Sequence, residues 1–335
     1  MTSGHPGGPR LTAPPGTPGE IAGIGVHHPR TRVGNAEIAA RLHVDEQWIT
    51  SRTGVQGRHR AEDCEPLERM AAEAAQDALL VAGTNAADLD CVILATITNP
   101  QQTPAVAARV AATIGARAAA FDLAAACAGF CHGLEVARSL IAAGTARSVL
   151  VIGADRMLDI VDPDDPGTAP LFGDGAGAAL VRAAHECGIG PVAWCADGTR
   201  ADALETRPTL NDSSGKSRPY LRMQGTAVAR WAIANAAAAA RRAMDVAGVE
   251  WADLHAFVPH QANQRLTETL VRLLDMPAHV AVADDIRVSG NTSGASVPLA
   301  VYALRADGRL PANGLALLVG FGAGMSCAAQ VVRIP

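Results

Sequence analysis

Ser148–Gly153 (SVLVIG) and Leu315–Gly320 (LALLVG) are unbroken apolar runs closed by Gly, the pattern of strands buried on both faces of a sheet. Ala178–Val181 and Ala328–Val332 supply a last strand to each half of the chain. At an offset of 165 residues the pattern repeats. Ala75–Thr96 aligns without gaps on Ala240–Gln261, with eight of 22 positions identical, including a shared V-A-G and A-D-L. Each copy reads as an amphipathic helix closed by Gly, a short turn and a β run. The chain is therefore expected to be a duplicated α/β protein, its halves spanning residues 20–190 and 191–335, with sheets and helices in layers.

Two segments fall outside this pattern. Residues 1–19 carry five Gly and five Pro and are expected to form a disordered tail. Residues 197–222 are polar, turn-rich and without period, which predicts a long surface loop.

Composition narrows the function. The chain has 335 residues, 49% hydrophobic and 18% charged, enough apolar material for a large core and too much for a disordered chain. A net charge of −5 without a basic stripe argues against a nucleic-acid partner, and no apolar run is long enough to predict a membrane span. Seven irregularly spaced cysteines and no signal-like segment point to a reducing, cytoplasmic setting.

Three segments carry candidate chemistry. In Phe121–Ile141 a strand leads through small residues into a helix starting near Cys127. The positive end of that helix would lower the thiol pKa and make a thiolate available near neutral pH. A small buried core residue is the competing reading, and local sequence does not separate the two. In Leu254–Leu274 a β run stops at Pro259 and His260, ahead of a helix whose Leu266, Leu270 and Leu273 or Leu274 share a face. In Val288–Pro298 a Gly- and Ser-rich turn places Asn291 at a helix start, where it could simply cap the helix. Adding 165 to Cys127 gives position 292, beside Asn291, so the two helix starts are expected to be equivalent and to face each other. A cysteine, a histidine and an asparagine at one site suggest acyl transfer through a thioester. The turn Gly320–Gly324 adds backbone N–H groups for an oxyanion.

Other motifs read more plainly. Gly173–Gly177 leads into a strand, so a tight turn is preferred over a dinucleotide loop. Cys127, Cys131 and His132 lack a second ligand pair at zinc-like spacing. His27 and His28, in a loop after the first strand, are read as solvated or hydrogen-bonded.

With these residues in view, the sequence resembles the β-ketoacyl-acyl-carrier-protein synthase III family of the thiolase superfamily, and within it the actinomycete-type members that prime polyketide synthases. The resemblance rests on W-I-x-x-R-T-G (Trp48–Gly54), D-L-x-A-A-C-A-G-F (Asp122–Phe130), F-G-D-G-A-G-A (Phe172–Ala178), P-H-Q-A-N (Pro259–Asn263), G-N-T-S (Gly290–Ser293) and G-F-G-A-G (Gly320–Gly324). It implies a five-layer αβαβα thiolase-like fold, a homodimer, acyl carrier protein and an acyl thioester as partners, and no metal or organic cofactor. Cys127 would hold the acyl group, and His260 and Asn291 would steady the enolate formed as malonyl loses carbon dioxide. The backbone N–H groups of Cys127 and Ala323 would form the oxyanion hole. Trp48, Arg52, Gly225, Ala229, Asn263 and Phe321 are expected along the substrate channel, and Arg265 at the carrier docking site.

The departures from the family pattern concern the substrates. Where fatty-acid members place an Arg that sandwiches the coenzyme A adenine against the Trp, this chain has Pro166, and a tunnel Phe is replaced by Ala229. Coenzyme A would be held less firmly. Where acetyl-specific members send a Phe across the dimer to close the acyl pocket, this chain has Thr103, which predicts a starter larger than acetyl. A non-decarboxylating acyltransferase or thioester hydrolase on the same fold is the alternative; a partner subunit without activity is disfavoured by Cys127.

Overall fold

The computed structural model describes residues 9–209 and 219–335. Two five-stranded sheets form its frame. The first runs Gly19–His27, Asp174–Ala183, Ser148–Arg156, Cys91–Ala95, Ala119–Leu123 in spatial order; the second runs Ala193–Ala196, Ser326–Arg333, Leu315–Gly322, Ala256–Pro259, Ala281–Val282. In both, the first three strands pair antiparallel and the last three parallel. The same order and the same mixture of directions in each half is the duplication seen in three dimensions.

Helices complete five layers. Leu67–Ala82 and Val106–Ile114 pack on the outer face of the first sheet, around Met70, Leu94, Val110 and Leu150. Gly225–Ala247 and Gln264–Leu273 cover the outer face of the second, around Met244, Phe257, Leu270 and Leu317. Gly129–Ala142 and Ser296–Ala306 lie between the sheets in one core holding Leu134, Ile93, Val301 and Leu318. The strands Cys91–Ala95 and Leu315–Gly322 are buried throughout, which is why they read as unbroken apolar runs. The V-A-G signals are helix ends, with Gly83 and Gly248 left-handed at φ +61° and +65°. No helix among the described residues is long and apolar enough to cross a membrane.

The central helices begin in matched turns. Ala126–Ala128 precedes Gly129–Ala142, and Ser293–Ala295 precedes Ser296–Ala306. Each turn abuts the central strand of the opposite sheet at a glycine: a Cβ on Gly153 would lie 2.1 Å from Gly294 O, and one on Gly320 would lie 3.1 Å from Ala128 Cα. A side chain at either glycine would push the two halves apart.

Three sequence expectations change. The offset is 165 at Cys91 and Ala256 but 167 at the turns, so the structural counterpart of Cys127 is Gly294 rather than position 292. Only residues 1–8 of the expected tail lie outside the described residues; residues 9–19 are a strap, not a disordered segment. Leu11 is buried in the outer core of the second half, Thr12 N–H donates to Ala247 O at 2.9 Å, and Gly19 already belongs to a strand. One apolar anchor and backbone hydrogen bonds suffice to hold an extended Pro-rich segment. Within 197–222, Leu204–Arg207 pairs antiparallel with Tyr220–Met223, while 210–218 falls outside the described residues. Inward-facing Leu204 and Leu221 give this ribbon its buried side.

Candidate active site

Cys127 sits in the turn that starts the central helix, behind Ala126 at φ +45°. Its Sγ donates to Ser293 Oγ at 3.5 Å, across the junction of the halves. The helix start is where the sequence places it, but burial works against the expected thiolate. Burial pushes the thiol up to about 12, with the Asp155 carboxyl adding to the rise and the Ser293 hydrogen bond opposing it. Taking a thiolate out of water is costly, and the helix end has to offset that cost before the thiol ionises near neutral pH.

His260 follows the strand Ala256–Pro259 and is 2% exposed. Its Nδ1 lies 2.6 Å from Ser296 Oγ, and Ser296 Oγ also accepts Gln261 N–H at 3.4 Å. When the Ser296 hydroxyl donates to Nδ1, the imidazole proton stands on Nε2 and Nε2–H is a donor; the 2.6 Å contact accommodates this tautomer. Burial pushes the His260 pKa down to about 3, so the ring is neutral at physiological pH. The edge of Phe321 packs on it, ring centroids 5.2 Å apart.

Asn291 is held by its main chain and its side chain. Its N–H donates to Leu171 O at 2.8 Å and its C=O accepts Gly173 N–H at 3.1 Å, a parallel bridge to Phe172. Its Oδ1 accepts Ser293 N–H at 2.9 Å, a turn-capping bond that leaves the Nδ2 donors available.

Asp155 ties the site together from behind. Fully buried at the end of the strand Ser148–Arg156, its carboxylate accepts Thr96 Oγ1–H, Ile97 N–H, Thr98 Oγ1–H and Gly294 N–H at 2.9 to 3.1 Å. Burial raises its pKa and these donors pull the other way. The sequence reading gives no role to Ser293, Ser296 or Asp155. A polar residue ending an apolar strand was a signal for Asp155, and Ser293 lies inside the G-N-T-S motif; nothing local distinguishes Ser296.

Cys127, His260 and Asn291 line one cavity of about 680 Å³. Phe321 and Ala323 form part of its wall, and a Cβ on Gly322 would lie 2.8 Å from Cys127 Cβ, so this turn runs against the nucleophile. Trp48, Arg52, Gly225, Ala229, Asn263 and Arg265 line the same cavity. Arg52 stacks its guanidinium over Trp48, 4.6 Å from the ring centroid. Asn263 caps its helix, accepting Arg265 N–H at 2.9 Å and donating to Arg52 O at 3.0 Å. Thr103 is the exception among the expected residues: it is exposed and does not line the cavity of its own chain. Cys131 and His132 point elsewhere, Cys131 against Gly320 and His132 stacked on Trp194.

A buried cysteine at a helix start, a neutral histidine and an asparagine, on a duplicated five-layer α/β frame, define a condensing enzyme of the thiolase type. Comparison with known proteins makes this specific. Residues 121–198 match the model of 3-oxoacyl-[acyl-carrier-protein (ACP)] synthase III and residues 244–334 that of its C-terminal region. The chain is 44% identical over 319 residues to β-ketoacyl-[acyl-carrier-protein] synthase III of Streptomyces glaucescens, covering 94% of this chain and 96% of that one. It is 42% identical over 320 residues to the mycobacterial β-ketoacyl-[acyl-carrier-protein] synthase III of Mycobacterium avium, covering 94% and 95%. Among solved structures it is similar to the priming β-ketosynthase of the R1128 polyketide pathway, with a TM-score of 0.93, 42% identity and 98% and 99% of the two chains covered. This chain belongs to the 3-oxoacyl-[acyl-carrier-protein] synthase III family.

Proposed function

We propose that this enzyme initiates fatty-acid or polyketide synthesis by a decarboxylative Claisen condensation, with an acyl group carried on Cys127. In the first step Cys127 Sγ attacks the carbonyl carbon of an acyl thioester, the carbon–sulfur bond to the carrier breaks, and the carrier leaves as a thiol. In the second, the bond between the malonyl C2 and its carboxylate breaks and carbon dioxide departs. The electron pair stays on C2, its charge shared with the thioester oxygen. C2 then attacks the acyl carbon, the bond to Cys127 breaks, and the cysteine, whose first proton left with the carrier thiol, takes one from solvent. The backbone N–H groups of Cys127 and Ala323 would hold the oxyanion of each acyl transfer.

The observation that carries this reading is a neutral His260 ring and the Asn291 amide lining the cavity of Cys127, two uncharged groups that can donate there through Nε2–H and Nδ2–H. A developing enolate oxygen needs donors already in place and charge-neutral before the charge appears. A starter larger than acetyl is part of the proposal. Thr103 offers no ring to close a partner's pocket, and the cavity wall includes Leu204, Leu221, Met223, Val228 and Ile233. Homodimerisation is also proposed: among the described residues the edge strand Ala119–Leu123 has a neighbour on one side only, and Phe121 is 39% exposed.

For the donor, Arg52 already stacks on Trp48 and Pro166 lines the cavity without a planar cation. This supports an acyl carrier protein in preference to coenzyme A, with Arg265 exposed at the cavity for docking. The test is intact mass after incubation with acyl thioesters of two to six carbons on either carrier. The expected gain is one acyl group, absent in Cys127→Ala and strongest above two carbons; no labelling from either carrier would overturn the proposal.

A further inference from the structure

Arg58 is the largest fully buried side chain of the chain's described residues, at 0% exposure. It lies on the short strand Gly57–Arg60, and no carboxylate among the described residues pairs with it. The acid that acts on it electrostatically, Glu37, is already bound to Arg60 at 2.7 Å. Burial pushes the Arg58 pKa down to about 10, which still leaves a cation at neutral pH. Its Nη2 donates to Asn35 Oδ1 at 3.0 Å and to Pro170 O at 2.8 Å, while Nε and Nη1 have no partner. A buried, unpaired cation is costly, so its location has to be explained by what it holds.

It holds the segment on which Asn291 is built. Pro170 O, which accepts from Arg58, is one residue ahead of Leu171 O, which accepts the Asn291 N–H, and three ahead of Gly173 N–H, which donates to Asn291 O. The Arg58 stem fills the space beside both ends of this bridge: a Cβ on Gly173 would lie 2.9 Å from Arg58 Cβ, and one on Gly290 would lie 3.3 Å from it. On its other side Asn35 donates to Thr50 Oγ1 at 3.1 Å, in the helix Glu46–Thr53 that carries Trp48 and Arg52, and to Val55 O at 2.7 Å just past its end. Arg58 thus links the rim of the cavity to the main chain under Asn291.

We infer that Arg58 is a positioning residue for the condensation step, setting the place of the Asn291 amide through Pro170 and Leu171. This inference rests on the proposed decarboxylative reaction. The loading of Cys127 does not call on Asn291, so the two half-reactions should respond differently, which a residue serving only the fold would not produce.

The experiment measures both half-reactions, acyl-enzyme formation by intact mass and carbon dioxide release from malonyl carrier protein, in wild type, Arg58→Met, Arg58→Lys, Asn291→Ala and the double variant Arg58→Met/Asn291→Ala. Arg58→Met is expected to acylate within about twofold of wild type while carbon dioxide release falls roughly ten- to a hundredfold, the scale of a misplaced catalytic group. The double variant should release carbon dioxide no more slowly than Asn291→Ala alone. If Arg58→Met fails to fold, Arg58→Lys, which keeps the stem and charge but not the planar fork, carries the same comparison. Equal losses in both half-reactions, or a further loss in the double variant, would overturn the positioning role. An Asn291→Ala variant that releases carbon dioxide at the wild-type rate would instead overturn the proposed reaction itself.

Discussion

Ala126 and Ser293 share the left-handed backbone, at φ +45° and +50°, in turns that are counterparts in the two halves. Neither is a glycine, so each turn holds a conformation that costs about 1–3 kcal/mol. One turn delivers Cys127 and the other follows Asn291, and the Cys127–Ser293 hydrogen bond joins them. Ala126→Gly should leave stability within about 1 kcal/mol, since relief of strain offsets added chain entropy. Ala126→Val should cost roughly 2 kcal/mol or more, because a β-branched residue resists this conformation, and should slow Cys127 acylation. Urea unfolding and acylation kinetics check both, and full tolerance of valine would contradict the strained-turn account.

Ser296→Ala removes the hydroxyl at His260 Nδ1 and leaves that nitrogen buried without its partner, a cost of about 1–3 kcal/mol. Carbon dioxide release should fall roughly ten- to a hundredfold as the ring loses the donor that favours a proton on Nε2. Unchanged release would show that the tautomer is set by something other than Ser296.

The pH dependence follows from burial. With the thiol raised to about 12, the thiolate fraction of Cys127 should grow about tenfold per pH unit from pH 6 to 9. Alkylation by iodoacetamide, followed as loss of acylation-competent enzyme, should rise with the same slope. A plateau near pH 7 would mean that the helix end wins after all. For His260 the folded pKa lies below the unfolded one, so its contribution to stability is present above pH 6.5 and is lost as the pH falls towards 3. Decarboxylation should show no limb from His260 between pH 5 and 8.

Starter choice is tested at Thr103. If this residue leaves the partner's acyl pocket open, Thr103→Phe should lower kcat/KM for four- and five-carbon donors about tenfold or more relative to acetyl, in line with about 0.8 kcal/mol per methylene. A variant that keeps its activity with the longer donors would contradict a pocket gated at this position.

Much of this was legible from the sequence because it rests on local pattern. Buried strands read as apolar runs, the V-A-G helix ends exposed the duplication, and Cys127, His260 and Asn291 each stand at the end of a strand or in a turn with a recognisable motif. What was missed depends on distance along the chain. Ser296 meets His260 across 36 residues within the second half, and Asp155 meets Gly294 across 139, a pairing that exists only once the halves close. The burial of the Cys127 thiol was not legible because a helix start is visible in sequence whereas desolvation is a property of the packed site. Leu11 was lost in a Pro- and Gly-rich segment whose composition conceals its one anchor.

The most direct test of the central claim is carbon dioxide release from malonyl carrier protein by enzyme already acylated on Cys127, with the ketoacyl product measured alongside. The account predicts one carbon dioxide per ketoacyl product, with both falling together by about a hundredfold or more in His260→Ala and Asn291→Ala. Acyl transfer to water or to a second thiol, with the malonyl group left intact, would contradict it.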